Sequence, residues 1–147
     1  MPNPKSPQPE AQPAGAPVTS VKVLVVDDEE LTRTLLGQVL RRVQVDRMAV
    51  FYAEDGEEAL RIAQAERPDL ILLDLLLPKM DGYEVCRRLQ ALPDYHPHII
   101  MLTARGQAND RDAARAAGVD RFMTKPFNPT RLIADLNALW AGPGGGP

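Results

Sequence analysis

Five polar residues that together suit phosphoryl chemistry each stand at the close of an apolar run. Asp27 and Asp28 follow Val21-Lys22-Val23-Leu24-Val25-Val26, and Asp74 follows Leu70-Ile71-Leu72-Leu73. Thr103 follows Ile99-Ile100-Met101-Leu102, and Lys125, with Pro126 after it, follows Arg121-Phe122-Met123-Thr124. Short apolar runs bounded by turn residues read as strands. In an open parallel sheet the strands' carboxyl ends share one edge, and ligands bind there. Residues distant in sequence then converge on one pocket suited to Mg²⁺ and a phosphoryl group.

Taken singly, each residue also has a plainer reading. Adjacent carboxylates repel unless a cation joins them; with Asp74 nearby, a hard divalent ion is the natural remedy. Asp27, Asp28 and Glu29 suit the positive end of a following helix equally well. After Asp74, the segment Leu75-Leu76-Leu77-Pro78-Lys79-Met80 leads to Asp81 and Gly82. A simple turn with Asp81 as helix cap explains that pair, but not Asp74 at the tip of a buried strand. Thr103 beside the small Ala104 offers a hydroxyl to a ligand oxygen, or is only a strand end. Lys125 supplies a point charge to a phosphate, or snorkels beside a turn proline. Pro126 is suited to a cis bond that aims the lysine inward.

The elements needed to place these residues alternate five times. A helix from about residue 29 shows Leu31, Leu35, Leu36, Val39, Leu40 and Val43 on one side. A second strand spans 48–53. A helix over 56–66 turns Ala59, Leu60, Ile62 and Ala63 inward and is stopped by Pro68. The third strand, 69–73, is apolar almost throughout, as a strand covered on both faces must be. Helices over 81–91 and 110–117 flank a strand over 98–102, and the fifth strand runs to 124. Asn128-Pro129 is an N-cap followed by a first-turn proline, and the helix after it carries Leu132, Ile133, Leu136, Leu139 and Trp140. This (βα)₅ order predicts an α/β fold with a doubly wound parallel sheet, flavodoxin-like in strand order.

At 147 residues the chain fits one domain with a real core. Residues 1–19, rich in proline, read as a disordered tail, 20–141 as the folded unit, and 142–147 as a flexible Gly/Pro stub. A net charge of −3 gives no basic footprint for nucleic acid. No apolar run approaches the ~20 residues of a membrane-spanning helix, and the polar N-terminus does not resemble a secretory signal. The single cysteine, Cys86, has no internal disulfide partner and suits a packed small hydrophobe. A cytoplasmic protein is expected. His96 and His98, around Pro97, suit a surface loop better than a metal site, and Arg41-Arg42 and Arg87-Arg88 suit solvated helix faces. Trp140 reads as core closure.

Val25-Val26-Asp27-Asp28-Glu29, Leu73-Asp74 through Asp81-Gly82, Thr103-Ala104, Ala117-Gly118-Val119-Asp120 and Lys125-Pro126-Phe127 occur in one order, each at a strand end. Over residues 21–140 this resembles the receiver domain of bacterial two-component response regulators, single-domain and chemotaxis-regulator-like. The resemblance implies that Asp74 is the phosphoacceptor for a phosphohistidine on a kinase or phosphotransfer protein. It implies that Asp28, Asp74 and the backbone carbonyl of Leu76 ligate Mg²⁺, with Asp27 acting through water. Lys125 would pair with the phosphoryl oxygens and Thr103 would donate to them. The switch would be Thr103 with Phe122, at a position where the family often has tyrosine. Leu76 and Arg105 occupy positions that vary and tune phosphoryl lifetime. Output would pass to an unknown downstream protein through the face of the fourth helix, fifth strand and fifth helix, around Ala113, Ala116, Arg121 and Arg131, with a transient homodimer on activation as one form of that contact.

The implied protein is a switch rather than an enzyme, catalysing only its own phosphoryl transfer and autodephosphorylation. With only a Gly/Pro stub after the last helix, a stand-alone receiver without DNA or membrane contact is expected. The alternative is an aspartate-nucleophile phosphohydrolase for small molecules, but Asp27-Asp28-Glu29-Glu30 lacks the alternating Asp-x-Asp of such enzymes. A flavodoxin needs a hydroxyl- and glycine-rich phosphate loop where this chain has acids, and a P-loop is absent.

Overall fold

The computed structural model describes residues 20–104 and 111–140. The expectations for residues 1–19, for Arg105 and for 141–147 lie outside that range. The elements are β1 (Ser20–Val26), α1 (Glu30–Leu40), β2 (Arg47–Ala53), α2 (Gly56–Glu66), β3 (Leu70–Asp74), α3 (Gly82–Gln90), β4 (His98–Ala104), α4 (Arg111–Ala117), β5 (Arg121–Lys125) and α5 (Pro129–Trp140). All strand pairs are parallel, in the order β2-β1-β3-β4-β5. The chain reverses its winding between β1 and β3, which places the ends of those strands at the crevice where such sheets bind ligands. The flavodoxin-like expectation holds.

Alternation along the strands sorts the core into two layers. Leu24, Val26, Ile71, Leu73, Ile99 and Met101 join Ala59 and Ala63 of α2, Val85, Cys86 and Leu89 of α3 and Ala117 of α4. Val23, Val25, Leu70, Leu72, Ile100 and Leu102 join Leu36, Val39 and Leu40 of α1 and Leu132, Leu136 and Trp140 of α5. β3 is buried at every position, so it must be apolar on both faces, and Asp74 at its tip is the exception. Each large core side chain contributes about 1.5–3 kcal/mol by its burial.

Caps fix the helix starts. Asp55 and Asp81 accept the backbone N–H of Glu58 at 2.8 Å and of Glu84 at 2.9 Å, and Asn128 accepts that of Arg131 at 3.1 Å. Glu29 precedes α1 without capping it through its side chain.

One expectation fails in α1. Leu31 and Leu35 do not face the sheet: they are 71% and 42% exposed. Helical period selects a stripe of the helix, but Leu36, Val39 and Leu40 already fill the sheet-facing part. Leu31 and Leu35 lie beside it and, with Phe127, Pro129 and Ile133, line an open groove of about 700 Å³ between α1 and the start of α5.

The amino edge of the sheet is closed by two more aspartates. Asp69 Oδ2 accepts the Lys22 N–H at 2.9 Å while the Asp69 N–H donates to the Lys22 carbonyl at 2.8 Å. Asp120 repeats this with Ile99, at 2.8 and 2.9 Å. Tyr95 Oη donates to the Pro68 carbonyl at 2.6 Å beside them.

Candidate functional site

Asp27 follows β1 directly and is completely buried. Its N–H continues the sheet by donating to the Ala53 carbonyl at 3.1 Å. Its carboxylate is fully engaged: Oδ1 accepts the Glu29 N–H at 2.9 Å and Oδ2 accepts Lys125 Nζ at 2.7 Å. Asp28, the next residue, is exposed and has no side-chain partner among the described residues. Asp74 closes β3 with only a sliver of surface. Its Oδ1 accepts the Leu76 N–H at 3.3 Å, and its Oδ2 lies 3.3 Å from Lys125 Nζ.

One oxygen from each of Asp27, Asp28 and Asp74 can be chosen so that all three lie within 4.8 Å of one another. Lys125, the last residue of β5, bridges two of the three, and Glu29 Oε1 stands 3.8 Å from the same ammonium. The Lys125–Pro126 peptide bond is cis.

The electrostatics follow from this crowding. Burial raises the pKa of Asp74 above the ordinary carboxylate range, and the charge of Asp27 raises it further, against the pull of Lys125. Burial works against the Lys125 ammonium, yet its bond to Asp27, then the charges of Asp27 and Asp74, hold its pKa above the ordinary value. One ammonium thus stands against three clustered carboxylates. An all-oxygen donor set of this size, with one carboxylate left unpaired, fits Mg²⁺. Asp28 and Asp74 are the two side chains that would hold it; Asp27 is already satisfied by Lys125 and Glu29.

The loop after Asp74 is held against the site from below. Gly82 donates its N–H to the Leu75 carbonyl at 2.8 Å, and a Cβ on Gly82 would sit 2.8 Å from the carbonyl oxygen of Asp74. α3 therefore starts in contact with the backbone of Asp74, an approach that only glycine allows. Leu75 is buried, Leu77 half-buried and Leu76 exposed, so the three leucines do not act alike. Lys79, in the left-handed region at φ 73°, reaches back to Asp55 at 3.6 Å and Glu57 at 3.8 Å.

The two remaining residues expected at the site are placed less directly. Thr103 is buried near the tip of β4, its hydroxyl donating to the Ala104 carbonyl at 3.0 Å rather than to another site residue. Phe122 is half-buried on the layer that α2, α3 and α4 cover, paired in register with Met101. Among the other residues weighed, Cys86 is fully buried, and desolvation, with Asp120 second, pushes its thiol up to about 12. Arg87 and Arg88 are exposed and both bond Glu84. Trp140 is buried in the layer under α1 and α5.

Arg33 was not legible in the sequence as part of this site. It lies in the second turn of α1, and its guanidinium donates to the backbone carbonyl of Asp27 at 2.8 Å. The available signal was a basic residue about one and a half turns after a strand-end acid.

The comparisons with known proteins agree with this geometry. The response regulator receiver domain family matches residues 23–137. The alkaline phosphatase synthesis transcriptional regulatory protein PhoP of Bacillus subtilis (strain 168) is 48% identical over 118 residues, covering 80% of this chain and 48% of that protein. Response regulator MprA of Mycolicibacterium vanbaalenii is 40% identical over 119 residues, covering 81% of this chain and 50% of that protein. The chain thus spans about half the length of these curated relatives. Among solved structures, the chemotaxis response regulator CheY4 of Vibrio cholerae superposes with a TM-score of 0.72 at 33% identity, over 82% of this chain and 98% of that one. The receiver domain of the Francisella response regulator 1452 does so with a TM-score of 0.67 at 26% identity, over 80% and 94%. The phosphohydrolase alternative finds no support among these relatives. A family match that runs from the middle of β1 into α5, over a site with its acids and lysine in place, is decisive: the chain belongs to the response regulator receiver domain family.

Proposed function

We propose that Asp74 accepts a phosphoryl group from a phosphohistidine on a histidine kinase or phosphotransfer protein, and that the aspartyl phosphate is the on state of a signalling switch. The observation that carries this is Lys125, whose Nζ stands 2.7 Å from Asp27 and 3.3 Å from Asp74. An ammonium already beside the acceptor oxygen is placed to take up phosphoryl charge as it arrives. Burial leaves the Asp74 carboxylate poorly solvated and thus a better nucleophile. In the transfer an Asp74 oxygen forms the new P–O bond as the P–N bond to the histidine breaks, in line, and the electron pair leaves with the imidazole nitrogen. Such reactions need positioning and charge neutralisation more than covalent assistance. Mg²⁺ bound by Asp28, Asp74 and the Leu76 carbonyl, with Asp27 through water, would supply charge neutralisation to the phosphoryl oxygens. Asp27 keeps the Lys125 ammonium fixed. Loss of the phosphoryl group to water at the same site returns the switch to rest.

The groove beside the site is the surface on which the donor protein would sit. Lys125 and Glu29 form its rim near the acids, while Leu31, Leu35, Phe127 and Ile133 offer apolar contact. For output, Thr103 would turn its hydroxyl to the phosphoryl group and Phe122 would follow inward, reshaping the surface of α4, β5 and α5. Arg121 and Arg131 on that surface both approach Asp135, at 3.0 and 3.9 Å, so a change in β5 alters a small ion-pair group. A downstream protein or a transient homodimer would read it. A cytoplasmic setting goes with this reading, and no helix among the described residues is long and apolar enough to cross a membrane.

The test is acetyl phosphate with Mg²⁺, read by intact mass and hydroxylamine sensitivity. One labile phosphoryl group per chain is expected, and Asp74→Asn should take none. Label on His96 or His98, or undiminished label in Asp74→Asn, would overturn the assignment.

A further inference from the structure

We infer that Arg33 is a positioning residue for the divalent-cation site, acting on Asp28 through the peptide group that joins it to Asp27. The inference rests on the cation site proposed above and adds to it a residue outside its ligands.

The backbone oxygen of Asp27 lies in the plane of the Asp27–Asp28 peptide. Whatever grips that oxygen restrains ψ of Asp27 and φ of Asp28 together. Arg33 grips it, its guanidinium donating at 2.8 Å from a side chain only 16% exposed. The far amine faces Glu54 Oε2 at 4.0 Å, and the Arg33 N–H donates to the Glu29 carbonyl at 3.1 Å. The arginine thus spans from the first turns of α1 to the loop after β2.

Three further bonds hold Asp27: its N–H to Ala53, and its two carboxylate oxygens to Glu29 and Lys125. The Glu29 bond closes a turn across Asp28, and the other two act on Asp27 alone. Asp28 is the one acid of the cluster with no side-chain partner among the described residues, so its aim depends on its backbone alone. The turn to Glu29 holds that backbone from one side, and the bond from Arg33 is the side-chain grip on the peptide oxygen itself.

The two effects of Arg33 on a bound cation have opposite signs. Its positive charge, near three carboxylates, opposes a divalent ion. Its grip on the peptide favours one. Removing the side chain therefore tightens binding if charge is all that matters, and weakens it if positioning dominates. Partners that orient metal ligands from behind are typically worth about 10–100-fold in metal affinity.

The experiment is Mg²⁺ titration of the full chain, followed by amide NMR shifts at the tips of β1 and β3, for wild type, Arg33→Gln and Arg33→Met. Melting curves and amide spectra establish folding. The expected result is a dissociation constant about tenfold higher in both neutral variants, with the largest altered amide shifts at Asp28. An unchanged or lower dissociation constant in a folded variant overturns the role of Arg33. Failure of both variants to fold also overturns it, because Arg33 would then serve the fold rather than the site. Wild type that neither binds Mg²⁺ nor takes label at Asp74 would instead sink the switch reading. Wild type that does both, with Arg33→Gln binding as tightly, would sink this inference alone.

Discussion

Asp69 and Asp120 at the amino edge of the sheet, and Asp27, Asp28 and Asp74 at its carboxyl edge, are one side chain in opposite circumstances. At the amino edge each carboxylate accepts a strand N–H while its own N–H answers the facing carbonyl. Those acids are separated and partly solvated, and they tie loops to strands. At the carboxyl edge three acids are drawn together, two of them buried, around one lysine. Parallel strands make the difference possible: every carboxyl end points to the same edge, so charge placed there must accumulate. The first edge uses carboxylates to hold the fold, and the second holds them at a cost that a bound ligand can offset.

The contrast is sharpest in chemistry. Asp74→Asn should abolish labelling by acetyl phosphate, whereas Asp69→Asn and Asp120→Asn should label as wild type does. Loss of label in either amino-edge variant, with the fold intact, would break the contrast.

The next effect is on stability. Lys125→Ala leaves Asp27 and Asp74 without their shared cation, and removing one partner of a buried pair costs about 3 kcal/mol or more. Urea unfolding should show it, and part of the loss should return on addition of Mg²⁺. Full stability without the lysine would mean that the carboxylates are hydrated rather than strained.

Smaller losses belong to the amino edge. Asp69→Ala and Asp120→Ala each remove a hydrogen bond to a strand end, exposed at Lys22 and part-buried at Ile99, worth about 1 kcal/mol. Neither loss should respond to Mg²⁺, so a metal-dependent change there would blur the two edges.

The smallest effect has the opposite sign. The folded pKa of Asp74 lies above its ordinary 3.8, through burial first and the charge of Asp27 second. The folded state therefore favours the protonated form, and the group stabilises at low pH and ceases to as pH rises through its folded pKa. In metal-free protein at neutral pH, Asp74→Asn should melt slightly higher than wild type. The gain should shrink as pH falls through the raised pKa and vanish below 3.8. A lower melting temperature at neutral pH would show that Lys125 outweighs both causes.

Much of this was open to reading from sequence because strand tips carry their own punctuation. Val21–Val26 and Leu70–Leu73 end in acids, and Lys125 ends the last strand, so a parallel sheet suffices to bring them together. Asn128-Pro129 marked its helix by local chemistry alone. What stayed hidden depends on neighbours. Leu31 and Leu35 obey the helical period but lie one stripe away from the sheet, and only the position of α5 decides what they meet. The bonds of Asp69 to Lys22 and of Asp120 to Ile99 join residues 47 and 21 positions apart, with no local pattern to announce them. Arg33 looks like any solvated arginine on an amphipathic helix until the Asp27 carbonyl is found beneath it. The hydroxyl of Thr103 donates to the carbonyl of the next residue, Ala104, a bond that no pattern in the sequence announces.

The chain's only thiol, on Cys86, lies fully buried on the core-facing side of α3 with its pKa pushed up to about 12. A thiol so placed reacts with an alkylating reagent only when the helix lifts away and solvent enters. Its modification rate is therefore a clock for opening of the helix that packs against the backbone of Asp74. The unaltered protein carries this reporter already, without a dye or an introduced residue. Timed alkylation with and without a phosphate mimic would show whether occupancy at one end of α3 slows the breathing of its middle.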